Sequence, residues 1–356
     1  MKYYRLPAEW EPQWGVMLTW PHENTDWAPY LNEITETFVA MVREIAHREQ
    51  VLIVAPCYCK LPDEVEQMEN VHWFECPTDD TWARDHGPII LVSEGKDLNT
   101  NEVSHPLPLW LDFRFNGWGE KFEAAWDNMI PLKLWAMSSF LDKVQYENHQ
   151  DFVLEGGSIE TDGRGTIFTT SQCLLAPHRN QPLTKDEIES ELKRRLHAHR
   201  VVWLDHGTLT GDDTDGHIDT IVRCAPDDTL VYVGCDDTSD EQYADFQALE
   251  QQLQALRTNE GHPYRLLRLP MPDAIFEEHE EENGEQGERL PATYANFLIL
   301  NGAVLVPTYG QPEKDSEAMQ ILQQAFPERE IVPIDARTII RQHGSVHCLT
   351  MQIPDW

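Results

Sequence analysis

The segment HGSVHCLT (343–350) places Cys348 directly after His347, downstream of Gly344 and Ser345. A thiol attacks only as the thiolate, and only with a proton-handling group nearby. A lone cysteine is more often a small core residue, so this one needs partners to be a nucleophile. His347 is adjacent, but neighbours on an extended segment point to opposite faces, and the useful imidazole is expected from elsewhere. LTGDDTDGHIDTIVR (209–223) supplies a candidate. On an extended segment His217 and Asp219, one residue apart, would share a face, and acidic residues at 212, 213, 215 and 219 surround the histidine. A histidine and a carboxylate on one pocket suit proton transfer beside a cation. Counting removes a calcium loop: with Asp213, Asp215 and Gly216 at its third, fifth and sixth places, the first and twelfth would be Gly211 and Val222, where carboxylates are required. Transition-metal ligation stays open, though the segment has no cysteine pair and no second histidine at helical i+4 spacing. DDTWARDHGPI (79–89) is the third cluster, with Asp85 just before a turn that opens a strand. Taken alone, Arg84 and Asp85 read as an internal ion pair.

The elements that must position these residues alternate. Strand-like runs are VLIVAP (51–56), PIILVS (88–93), GTIFTTSQCLLAP (165–177), TLVYVGC (229–235) and FLILNGAVLVPTY (297–309). Helical patterns fall between them. Residues 31–47 put Ile34, Phe38, Met41, Val42 and Ile45 on one face. Residues 184–200 start with Thr184 and carry Glu187 three residues later, the pattern of a capping box. Residues 316–326 read as a third helix. Asp162-Gly163 marks a hairpin turn, and the acidic run 277–288 a solvated loop. Strands alternating with helices give the α/β class, with a loose repeat of tens of residues.

Composition narrows the partners. The 356 residues carry 27 Lys plus Arg against 62 Asp plus Glu, a formal charge of −35. That excess repels nucleic acid and anionic membrane surfaces and attracts cationic small molecules. No apolar run approaches the span of a bilayer, and the first residues lack the pattern of a signal peptide. Seven cysteines with no CxxC pair fit reduced thiols, so a cytoplasmic location is expected. No glycine-rich nucleotide signature is present.

TWARDHGP (81–88), EGGSIETDGRGT (155–166), DGHIDTIVR (215–223), RLPATYANFLILNGAVLVP (289–307) and HGSVHCLT (343–350), in this order, resemble the successive motifs of the agmatine deiminase and bacterial peptidylarginine deiminase family. That family lies within the guanidine-modifying pentein superfamily. The likeness covers nearly the whole chain, and five motifs in order are specific where any one is weak. It implies a single catalytic domain over 1–356 with a five-bladed α/β-propeller fold of pseudo-fivefold repeats. It implies Cys348 as nucleophile, His217 as acid/base, and Asp85 and Asp219 as the carboxylates that grip a guanidinium. Trp82, Asp213, Asn296 and Trp118 would contact or border the substrate. Gly117 and Glu120 stand where the family pattern more often has alanine and glycine, and Gly344-Ser345 where Gly-Asn is common.

The chemistry so implied is coherent. Two carboxylates can pair with the N–H edges of a planar guanidinium and fix it for attack. The thiolate adds to the carbon, ammonia leaves with a proton from His217, and water then attacks the amidino-thioether. A guanidinium about 4 Å from the sulfur is worth roughly 4 kcal/mol at an effective dielectric near 20, on the order of three pKa units. Substrate-assisted ionisation of the thiol is therefore expected, with a preformed thiolate–imidazolium pair as the rival. No metal or organic cofactor is required by these steps. The expected partner is a small cationic guanidine, with no nucleic acid and no membrane; a homo-oligomer is compatible with the sequence. Agmatine is the first substrate reading. Free or peptidyl arginine is the second, with Arg114 the cation to receive a carboxylate. An amidinotransferase and a non-catalytic guanidine binder complete the set.

Overall fold

In the computed structural model, residues 4–93, 107–137, 144–277 and 287–356 are described; most of the predicted acidic loop, 278–286, lies outside them. Within them the chain builds five small sheets of mixed α/β character. Each sheet repeats one plan: an antiparallel pair of strands, then a third strand parallel to the second. The parallel neighbour requires a crossover, which a helix supplies.

The units follow chain order. Ile89–Ser93 pairs with Leu109–Arg114, which lies parallel to Gln145–Val153. Ile159–Thr161 pairs with Thr166–Thr170, and Arg200–Leu204 follows the helix Lys185–Arg195. Val222–Ala225 pairs with Thr229–Gly234, and Arg265–Pro270 follows the helix Tyr243–Ala255. Leu298–Leu300 pairs with Ala303–Thr308, and Glu330–Asp335 follows the helix Pro312–Ala325. The last unit joins the two ends of the chain. Thr350–Pro354 is antiparallel to Gln13–Thr19, which continues in parallel to Gln50–Ala55 and Val71–Glu75.

Central strands here are covered on both faces and read as continuous apolar runs. Val51 to Ala55 and Leu230 to Val233 are all buried. The helix Leu31–Ala46 buries its expected face, Ile34, Phe38, Met41, Val42 and Ile45, against this core. Thr184 closes a full capping box with Glu187. The run 165–177 is shorter as a strand than its composition suggests. Thr170 caps a helical turn, Ser171–Leu174, which buries Cys173. The hairpin at Asp162-Gly163 forms, with Gly163 at φ +70° and the Asp162 carboxylate accepting from the Arg164 and Thr166 amides.

Replacing Thr184 with alanine removes the hydroxyl half of the capping box and leaves the backbone N–H donating to Glu187. It is expected to lower unfolding free energy by about 1 kcal/mol without affecting turnover, read as a fall in denaturant midpoint at unchanged kcat.

Candidate active site

Asp85, His217, Asp219, Asn296 and Cys348, singled out from the sequence, share one kind of position. Asp85 lies in the turn Ala83–His86 that precedes Ile89–Ser93. Gly156 and Gly157 precede Ile159–Thr161. His217 and Asp219 belong to the turn before Val222–Ala225, Asn296 precedes Leu298–Leu300, and Cys348 precedes Thr350–Pro354. Every unit of the fold thus contributes the turn that enters its first strand.

His217 and Asp219 are not on an extended segment, as their spacing suggested. His217 caps a 3₁₀ turn, Ile218–Thr220, and the turn brings both side chains to one place. Gly157 defines it. A Cβ there would lie 2.6 Å from His217 Nδ1, 2.9 Å from Asp85 Oδ1 and 3.2 Å from Asp219 Oδ2. Only glycine admits three such groups so near its backbone.

Each group is held. Asp85 Oδ1 accepts from the Gly157 amide at 2.9 Å, and Oδ2 from the Trp118 indole at 2.9 Å. Trp118 adopts φ +53°, between Gly117 at +65° and Gly119 at +86°. A left-handed tryptophan costs energy, and here it delivers the indole N–H to the Asp85 carboxylate. Glu120 is also left-handed at φ +66°. Arg84 and Asp85 do not form the ion pair read from the sequence. Arg84 turns away, donating to Gln352 Oε1 at 2.5 Å, while Asp85 faces the site. Neighbours on the short turn simply point apart.

Cys348 is 5 % exposed. Its Sγ lies 3.4 Å from Asn296 Oδ1 and 3.9 Å from Asp219 Oδ2. Asn296 Oδ1 also accepts from the amides of His347 (2.9 Å) and Cys348 (3.2 Å), which pins the backbone at Cys348. Burial, then Asp219 and Asp85, push the Cys348 thiol well above the ordinary thiol range. Burial opposes charging His217, but Asp85, whose Oδ1 is 3.7 Å from Nδ1, and then Cys173 and Glu155 outweigh it and favour the imidazolium. Burial raises Asp85 despite His217. Burial also acts against Asp219, yet the hydrogen bond and charge of His347 leave it lowered.

Glu155 and Cys173 went unsingled by sequence reasoning. Both are fully buried, and with His217 their donor atoms lie within 4.8 Å of one another. Arg179 holds Glu155 Oε1 at 2.8 Å. Glu155 Oε2, both ring nitrogens of His217 and Asp219 Oδ1 are buried with no hydrogen-bond partner among the described residues. Unpaired buried polar atoms are costly, and here they concentrate at one point. The signal for Glu155 was the Gly-Gly pair after it, standing just before a strand as the Asp85 turn does. Glu155, Cys173 and His217 have the donor types of a metal site, as do Glu9, Glu160 and His347; in the second set Arg223 already spans both carboxylates.

A cavity opens onto Cys348. Trp82, Trp118 and Phe122 line it, with Asp26, Asp80, Asp85, Asp212 and Asp213. Gly344 lies so close to the Trp82 ring that a Cβ would overlap it. Asn296 is behind the sulfur rather than on the cavity wall. Arg114 is not in the site: it is exposed at the end of its strand and lines a neighbouring open groove.

Residues 5–354 match the model of the Porphyromonas-type peptidyl-arginine deiminase family. A Vibrio parahaemolyticus chain assigned as an agmatine deiminase is 36 % identical, over 99 % of this chain and 97 % of its own. The structure of C. jejuni agmatine deiminase with substrate bound superposes with TM-score 0.85 at 35 % identity, covering 99 % of this chain and 97 % of that one. A Porphyromonas gingivalis structure assigned as an arginine deiminase is 46 % identical, with TM-score 0.86 and coverage of 99 % and 98 %.

Gly157→Ala should fold, by circular dichroism, but displace His217 and both carboxylates. Turnover is expected to fall by about 100-fold or more, and wild-type activity in a folded Gly157→Ala protein would contradict the convergence described.

Proposed function

The chain belongs to the Porphyromonas-type peptidyl-arginine deiminase family, and from that premise we propose that it hydrolyses agmatine to N-carbamoylputrescine and ammonia. One observation carries the choice of substrate. The cavity in front of Cys348 is lined by five aspartates and by no lysine or arginine among the described residues. Agmatine presents a guanidinium and an ammonium and no carboxylate, so both its ends are attracted. Free arginine, or a peptide ending in it, would bring a carboxylate into the same acidic walls. Arg114, the cation that reading needs, lies outside the cavity.

Cys348 is the proposed nucleophile and His217 the acid/base. Asp85 and Asp219 form the clamp, Trp82 and Trp118 the aromatic walls, and Asn296 the anchor of the nucleophile's loop. Asp213, half-buried on the rim, is proposed to receive the ammonium. The guanidinium seats between the clamp carboxylates, where Asp219 Oδ1 has no other partner. Its charge offsets the anions that keep Cys348 protonated, so the thiol gives its proton to solvent and becomes the thiolate as substrate arrives. Sulfur adds to the guanidinium carbon and the C–N bond to the terminal nitrogen breaks. His217, as the imidazolium, protonates the departing ammonia. The neutral ring then takes a proton from water, which attacks the same carbon, and the C–S bond breaks to give the ureido product.

The whole chain is proposed as one catalytic domain, with its five sheets as the blades of a closed propeller. The repeated strand plan, the pairing of the two chain ends and the equivalent entry turns all support that reading. All seven cysteines are free, which suits the reducing cytoplasm proposed as its location. Among the described residues no helix is long and apolar enough to cross a membrane.

The deciding assay supplies agmatine, arginine and an arginine-terminated peptide, with Cys348→Ala as control. Carbamoylputrescine and ammonia should form from agmatine alone and vanish in the variant; citrulline from arginine with no product from agmatine would replace this reading. Asp213→Asn should raise the KM for agmatine roughly tenfold, about the energy of one charge-assisted contact, with kcat little changed. Alkylation of Cys348 in the free enzyme should climb only at alkaline pH, because the anions around it raise the thiol. A fast plateau already near about pH 6 would instead establish a preformed thiolate.

A further inference from the structure

His347 and Cys348 are neighbours in the chain but line different cavities. The second cavity is bordered by Glu9, Arg84, Glu160, His347 and Gln352 and shares no lining residue with the first. The His347 ring lies between two carboxylates, with Nδ1 2.7 Å from Asp219 Oδ2 and Nε2 2.8 Å from Glu9 Oε2. Behind it Arg223, fully buried, ion-pairs with Glu9 at 2.6 Å and with Glu160, and its NH2 lies 3.0 Å from His347 Nε2. The ring occupies Asp219 Oδ2, while Oδ1 is buried with no hydrogen-bond partner among the described residues.

We propose that His347 is a positioning residue for the deiminase reaction, holding Asp219 ionised and turned so that Oδ1 meets the guanidinium. The inference rests on the proposed function only through the clamp role of Asp219. The two clamp carboxylates differ in just this respect. Asp85 is held by a backbone amide and an indole, both neutral donors. Asp219 is tied through an imidazole to a buried ion cluster. A neutral ring donates to one carboxylate and an imidazolium to both. Arg223 ion-pairs with both Glu9 and Glu160, and buried charges persist only when so compensated. Glu9, despite its burial, is held low by Arg223 and His347.

The charged groups bearing on Asp219 are His347 and Arg223 behind it and His217 beside it, with Arg84, Asp85 and the Cys348 thiol also near. Its pKa is lowered, so its anion is lost only as pH falls through that depressed value. Without His347 the value rises, and the clamp is lost at higher pH.

The test compares agmatine turnover across pH for wild type, His347→Leu and His347→Gln, with agmatine binding measured separately in a Cys348→Ala background. His347→Leu should lose roughly 10- to 100-fold in kcat/KM, the worth of a hydrogen bond to a buried charge. Its acid limb should move to higher pH. His347→Gln, which keeps a donor, should fall between. Wild-type kcat/KM and acid limb in either folded variant, or a loss of activity with no displacement of the limb, would overturn the proposal. If His347→Leu fails to fold, His347→Gln and Glu9→Gln decide, since Glu9 touches the ring but not the substrate cavity; Glu9→Gln should move the limb the same way by less. A failure of the parent reading is distinguishable, because then wild type itself neither turns over agmatine nor binds it as the Cys348→Ala protein.

Discussion

Two carboxylates and a thiol share a volume that solvent barely reaches: Asp85 is 4 % exposed, Asp219 0 % and Cys348 5 %. A buried anion must be paired, hydrogen-bonded or neutralised, and the site shows all three answers. Asp219 keeps its charge through the imidazole and guanidinium behind it. Asp85 takes two neutral donors and the charge of His217. Cys348 gives up its charge and stays a thiol. What would satisfy all of them together is a flat cation set between the carboxylates and under the sulfur. Substrate binding and activation of the nucleophile are then one electrostatic event, which is why the proposed chemistry places them in a single step.

Such a balance tolerates little movement, and the fold explains how it is kept. The residues involved lie in turns that enter the first strand of each sheet, so their positions follow from strand register. A slip of one residue would send each to the other face. The register of Thr350–Pro354 on Gln13–Thr19 therefore locates the sulfur as surely as it joins the ends of the chain. Gly157 shows the same economy at the scale of one atom, since a methyl group there would meet three functional side chains.

Much of this could be read from the sequence where the residue type carries the chemistry. Cys348, His217, Asp85 and Asp219 come together, and the amphipathic face of 31–46 and the capping box at Thr184 are as their spacing suggested. Readings that depended on local geometry did less well. His217 and Asp219 converge through a 3₁₀ turn, because Gly216 at φ +91° breaks the extended path before them. Arg84 looked like a partner for Asp85 because adjacency in sequence says nothing about direction on a one-turn helix. Arg114 was chosen for its charge, and charge does not reveal which cavity a strand end borders. Glu155, Cys173 and Glu9 carry no signature in themselves. They matter because distant segments bury them against His217 and His347, and such long-range contacts leave no spacing to read.

Cations are not missing around the acidic cavity; they are committed elsewhere. Lys121 and Arg179 both reach Asp215, at 2.9 and 2.7 Å, and Arg179 also holds Glu155. Lys121 contacts Asp213 only at its backbone oxygen, at 2.6 Å, so it braces the loop without engaging the carboxylate that lines the cavity. Arg84 and Arg223 are likewise spent on the rear cluster. Had any of these turned inward, it would satisfy the anions that a guanidine must find free, and binding would pay to break an ion pair before gaining one. Keeping the protein's own cations one layer back leaves the front aspartates for the ligand, while the −35 charge of the whole chain favours a dication's approach from a distance.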